Sequence, residues 1–200
     1  MLDKDRVVKN IKHYFATGEK YGFMTKELMD FLGADFMEAP ASTMSDLHNA
    51  FEGGLVDHTL RVTKYAFLIN DVLPKDKGMV IDVASLIKVC CLHQIGKAKL
   101  YKPCLSECHR TNQGKMYEFV NDSTSMSVGE RSVKYAMDNG VTFTDDEYQA
   151  ILNFSKDDTD KQANYHSSML GTILKQAIQL AIAEEQINHK ISLNNETKSE

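Results

Sequence analysis

Two apolar runs at helical spacing, each carrying one histidine, constrain this chain more than any other feature of its sequence. From Leu55 the positions Leu55, Leu60, Val62, Ala66 and Ile69 follow the spacing of a helix face, and His58 rides on that helix. A second run, from about Asp82 to Gln94, is apolar on most sides, carries His93 and is ended by Gly96. A helix of that kind has to be covered by other helices, so the two runs predict a helical core reached by two imidazoles.

The rest of the chain reads the same way. Val7, Val8, Ile11, Tyr14 and Phe15 put an apolar stripe on a first helix, with a polar break expected at Thr17-Gly18-Glu19-Lys20. A short second helix follows Thr25 and stops at Gly33, and residues 34–54, with Pro40 and Gly53-Gly54, read as an irregular loop. After Gly96 the chain is polar to Val120, with a strand or hairpin arm at Met116 to Val120. Ser127 with Glu130, and Thr144 with Glu147, have capping-box spacing and start two more helices, the first closed by Gly140. A last long helix, from about Ala163 to Ile187, carries Met169, Ile173, Leu174, Ala177 and Leu180 on one side, and 188–200 reads as a polar tail. With only three prolines and few alternating stretches, the expected class is all-α: one helical-bundle domain over 1–187 with a small β-hairpin insertion.

Charge and composition narrow the function classes. The formal net charge is −5 and no long basic run exists, so bulk nucleic-acid binding is not expected. The longest apolar stretches, such as Ala66 to Ile69, fall far short of the roughly 20 residues that span a bilayer, so no membrane role is expected. A charged N-terminus, Met1-Leu2-Asp3-Lys4-Asp5-Arg6, points to a soluble, cytoplasmic protein. The four cysteines, two adjacent at Cys90 and Cys91, are expected to be reduced. Cys104, Cys108 and His109 offer three zinc donors in a polar segment, but their spacing is not a zinc signature and plain thiols are the competing reading.

The segment His48-Asn49-Ala50-Phe51-Glu52-Gly53-Gly54-Leu55-Val56-Asp57-His58, followed by Leu92-His93-Gln94-Ile95-Gly96-Lys97, resembles the front half of the HD-domain phosphohydrolases. Weaker similarity continues through Val128-Gly129-Glu130-Arg131-Ser132-Val133, Asp145 to Ile151 and Leu174 to Ala181, so the resemblance covers about 40–185. It implies a helical fold in which His58 and His93 are metal ligands, and a reaction in which one or two divalent ions activate water against a phosphate ester. It also shows where this chain departs. Gln94 stands where the family has the Asp of its His-Asp pair, Ile178 aligns with the last-helix Asp, and Val128 and Phe154 align with further histidines. A neutral amide is a poor substitute for a bridging carboxylate, and an aliphatic side chain coordinates nothing.

These departures set the expectations. The first is a degenerate, non-catalytic protein that binds a nucleotide, another phosphate ligand or a protein partner, with no cofactor. The alternative is an active phosphohydrolase on a nucleotide-like phosphoester, with His58 and His93 holding a divalent metal (manganese, cobalt, nickel, magnesium or iron) and other residues completing its shell. A third is an interaction module with no small-molecule pocket. Asp157 or Asp158 are substitute ligands if the register shifts, and Glu52 and Asp57 are tempting carboxylates, although Asp57 lies about 100° around the helix from His58. Lys97, Arg61 and Arg131 are the candidate phosphate-binding cations, with a solvated-surface role as the plainer reading. His48, His58, His93 and Gln94 are the candidate pocket residues, with the bland alternative of hydrogen-bonded core or loop histidines.

Overall fold

The computed structural model describes residues 4–120, 125–156 and 167–196. Among them are eight α-helices: α1 (Lys4–Lys20), α2 (Lys26–Met37), α3 (Gly54–Val72), α4 (Val83–Leu92), α5 (Glu107–Gln113), α6 (Val128–Asp138), α7 (Asp145–Asn153) and α8 (Met169–Glu196). A small antiparallel pair, β1 (Tyr101–Pro103) with β2 (Tyr117–Phe119), brackets α5. This is the all-α class with a minor hairpin that the sequence predicts. α3 is the central element, packed along α8 and also against α4 and α1. Leu55, Val56, Val62 and Ala66 of α3 join Leu86, Val89 and Leu92 of α4 and Ile173, Leu174 and Ala177 of α8 in one core. At about 25 cal/mol per Å² of apolar surface, burial of this kind is the main force holding the helices together.

Two glycines permit close approaches that shape the site. Gly54 opens α3 where a Cβ would lie 2.2 Å from the Asn49 carbonyl oxygen, so the loop before α3 folds back onto the helix start. Gly96 lies in the single 3-10 turn Ile95–Lys97 after α4, where a Cβ would stand 2.5 Å from the Val128 carbonyl and 2.6 Å from Arg131 Cβ. Ser132 of α6 clamps that turn, receiving the Gly96 N–H at 2.9 Å and donating to the His93 carbonyl at 2.9 Å. The turn that aims His93 is thereby fixed against α6.

The structure departs from the sequence reading at several boundaries. α1 runs through Thr17–Lys20 without a break, because Gly18 is buried where a Cβ would strike Met24 Cβ at 2.7 Å and Thr17 Oγ1 bonds back to the His13 carbonyl. At Gly33 the dihedrals, φ 44 and ψ −145, interrupt the helix as expected, and a second helical piece runs on from there to Met37, so α2 is two pieces joined at a kink. α5 was not anticipated; its seven residues begin with a Ser106 cap onto the His109 N–H. α8 extends through Glu196, past the expected end near Ile187, while its expected start near Ala163 lies outside the described residues. Leu180 is 45% exposed and faces away from the core.

Both capping boxes form. In the second, Glu147 accepts from the Thr144 N–H at 2.9 Å and also from Lys88 Nζ of α4 at 2.7 Å. Burial alone would raise the Glu147 carboxyl, but the Lys88, Thr144 and Ser85 donors outweigh it and hold the pKa below 4.5. The ionised form therefore stabilises the fold above about pH 4.5, and this contribution is lost as pH falls through the lower folded-state value. Glu147→Gln is expected to lower unfolding free energy by about 1–2 kcal/mol at pH 7, with the difference shrinking in acid. Urea melts across pH check this, and identical melts at pH 7 would contradict it.

Candidate functional site

His58 lies one turn into α3 with its side chain wholly buried, facing α8. Its Nδ1 lies 3.0 Å from each carboxylate oxygen of Glu185. His93, at the C-terminal cap of α4, points Nδ1 at the Cys90 carbonyl at 2.7 Å. A carbonyl only accepts, so the His93 proton sits on Nδ1 and its Nε2 carries a lone pair. With Glu185 ionised the same holds for His58. The two rings lie 6.3 Å apart, the His48 ring stacks obliquely 5.0 Å from that of His58, and Phe154 presents its ring perpendicular to His93 at 5.2 Å. His48 Nε2, His58 Nε2, His93 Nε2 and Gln94 Oε1 are all buried without a hydrogen-bond partner among the described residues.

Burial keeps these imidazoles neutral. It pushes His58 and His93 down to about 3 and His48 down to about 4, reinforced in each case by the Lys97 ammonium. The His58–Glu185 contact is therefore a hydrogen bond from a neutral ring rather than an ion pair. Glu185 moves the opposite way: burial raises it to about 7, against the pull of His48 and Arg61. Lys97 is lowered to about 8 by burial, and its Nζ donates to the Ala41 carbonyl at 2.6 Å.

Around this centre runs a network of charges. Arg61 donates through Nη2 to Asp57 at 2.8 Å, through Nε to Glu185 at 3.2 Å and through Nη1 to Glu184, which also accepts from Tyr65 Oη at 2.6 Å. Asp57 also accepts from Asn10 at 2.9 Å, Asn49 at 3.0 Å and Arg6 at 3.3 Å, tying α1 and the 38–53 loop to α3. As its helical angle implies, Asp57 turns away from His58. Lys97 carries the same loop from the other side through Ala41, and the hairpin is stitched to it by Met116 N–H to the Thr43 carbonyl at 2.9 Å. Arg131 is buried on α6 beside Gly96 and donates to Tyr135 Oη at 3.4 Å. Arg61 and Lys97 thus bear electrostatically on His58, while Arg131 is buried with its Cβ against the Gly96 turn.

Beside this network opens a cavity of about 700 Å³, with Asp57, Arg61 and Glu185 on its inner wall. Glu185, Glu184, Arg6 and His189 were not recognised in the sequence. Glu185 was within reach: it lies seven residues after Ile178, two helical turns on, and so repeats the same face of α8. Gln94 stays at the expected position, Ile178 is buried in the core, and Asp157 and Asp158 lie outside the described residues. Glu52 is exposed. Cys104 is buried, whereas Cys108 and His109 are exposed. Among the described residues no three His, Cys, Asp or Glu side chains are disposed to hold a metal ion.

Over 69 residues the chain is 39% identical to dihydroneopterin 2',3'-cyclic phosphate phosphodiesterase of Methanocaldococcus jannaschii, a match that spans 34% of this chain and 27% of that enzyme. No family model and no solved structure matches. Among the described residues, no helix is long and apolar enough to cross a membrane.

Two outcomes follow for stability. Arg61→Ala removes the cation shared by buried Asp57 and Glu185, leaving Glu185 with only the neutral His58 ring, and is expected to cost about 3–5 kcal/mol in chemical denaturation; a loss below about 1 kcal/mol would contradict a buried network. In acid, the unfolded chain protonates His48, His58 and His93 below 6.5 while the folded chain does so only near 3–4, so their stabilisation is present above pH 6.5 and lost as pH falls. Glu185 opposes this, since its raised pKa favours the folded state below about 7. Three protons against one leave a net uptake of about two on unfolding near pH 5, or about 3 kcal/mol of stability lost per pH unit. A denaturation midpoint that does not move between pH 6.5 and 5 would contradict neutral burial.

Proposed function

We propose that this chain is a non-hydrolytic relative of the HD phosphohydrolases that binds a nucleotide or related phosphate compound in the cavity between α3, α8 and the 38–53 loop. One observation carries the proposal: the carboxylate that the fold brings to His58 is Glu185, and it contacts Nδ1, on the opposite side of the ring from the Nε2 lone pair. Glu185 there orients the imidazole, as carboxylates also do behind metal-bound histidines, but from the far side of the ring it gives an ion at Nε2 no direct anionic ligand. Gln94 supplies only a neutral oxygen, Ile178 is buried hydrocarbon, and Phe154 packs against His93. Among the described residues, the side chains do not fit the charge-balanced divalent centre that the resemblance implies. The cavity is within the roughly 300–1,000 Å³ usual for small-molecule sites, and the similarity to a cyclic-phosphate phosphodiesterase favours a phosphate-bearing occupant.

A second reading, a metal-dependent phosphohydrolase with an atypical ligand set, is favoured by the unpartnered lone pairs on His58 Nε2, His93 Nε2 and Gln94 Oε1. The discriminating experiment is elemental analysis of the purified protein with a hydrolysis screen over nucleoside phosphates and cyclic nucleotides, in the presence of manganese, cobalt or nickel. Binding without turnover and without stoichiometric metal is expected. Turnover abolished by His58→Ala or His93→Ala would replace the proposal with the second reading. Gln94→Asp alone is expected to leave the protein inactive, because it restores one carboxylate and leaves Ile178 in place of the other.

A further inference from the structure

The cations that a sequence comparison would assign to phosphate are already occupied. Arg61 is shared among Asp57, Glu184 and Glu185, Lys97 is buried on the Ala41 carbonyl, and Arg131 is buried beside Gly96. Arg6 is different. Its side chain is 56% exposed, it lines the cavity, and its single 3.3 Å contact is with a carboxylate that already accepts from Asn10, Asn49 and Arg61 at 2.8–3.0 Å. Asp57 therefore does not need Arg6, and turning the guanidinium toward an incoming anion costs the fold little. His189 of α8 lines the same cavity, with Asn188 and Ser192 beside it as neutral donors. Leu47, Phe51 and Met116 supply the apolar part of the lining, suited to a flat ring.

Resting on the binding function proposed above, we infer that the ligand is a heterocyclic nucleoside phosphate bound with its phosphate outward. The phosphate is held by Arg6 and His189, and the ring lies along Phe51 and Met116. The polarity is set by charge. On the inner wall Arg61 is already shared by Asp57, Glu184 and Glu185 and has no charge to spare for a phosphate, whereas Arg6 is the cation whose pairing is dispensable.

The test is calorimetric titration of the full chain with AMP and with adenosine, comparing wild type, Arg6→Ala and Met116→Ala. Wild type is expected to bind AMP at least tenfold tighter than adenosine. Arg6→Ala is expected to bring AMP affinity down to that of adenosine, leaving adenosine affinity and the melting temperature unchanged. Met116→Ala is expected to weaken both ligands to a similar degree. Unchanged AMP binding by Arg6→Ala overturns the inference while leaving the binding function standing. Failure of wild-type protein to bind either ligand at millimolar concentration removes the nucleotide-binding function and the inference together.

Discussion

The Arg61 guanidinium holds the candidate site together. Three carboxylates from two helices share it, and through Asp57 the same network reaches α1 and the 38–53 loop. Removing water from so many charges is costly, and their mutual attraction offsets that cost only if each group keeps good partners. Here each does: Asp57 has four donors, Glu184 has Arg61 and Tyr65, and Glu185 has Arg61 and His58. The pairing fixes α3 against α8 in one register. It also sets the orientation of the His58 ring.

The chemistry of the centre follows from that orientation. With Nδ1 protons directed to Glu185 and to the Cys90 carbonyl, His58 and His93 present unshared electron pairs in a buried, low-dielectric space. Burial, reinforced by the Lys97 ammonium, keeps both rings from taking a second proton. Among the described residues no side chain bonds either Nε2, and no carboxylate there offers a divalent ion the negative charge that such ions need when they polarise a phosphoryl group. The open cavity beside it has a different character, with an exposed arginine at its edge and apolar side chains along its wall. The proposed ligand recognition accordingly lies in the cavity rather than at the buried histidines.

Much of the architecture was legible because it depends on local rules. The capping boxes at Ser127 and Thr144 and the helix start after Thr25 are short-range chemistry and stand where the sequence put them, whereas α4 ends at Leu92, before the expected stop at Gly96, which sits in the 3-10 turn that follows. The misjudged break at Thr17–Lys20 depended on a tertiary contact, since Gly18 reads as a breaker until Met24 is packed on it. In the site, His58, His93 and Gln94 were found by their flanking residues. Glu185 and Arg6 were not, because they act through elements 127 and 51 residues from their partners in the chain. The resemblance drew attention to Ile178, a position that had lost its carboxylate, and away from Glu185 two turns later on the same face.

The neutral, Nδ1-protonated state of His58 and His93 is the central physical claim, and long-range nitrogen–proton NMR of the imidazole rings tests it most directly. The account predicts that His93 shows a neutral ring with its proton on Nδ1 from pH 5.5 to 8, and that His58 shows the same state above pH 7, where Glu185 is ionised. Imidazolium signals from either ring near pH 6, or a proton on Nε2 of His93, would contradict it.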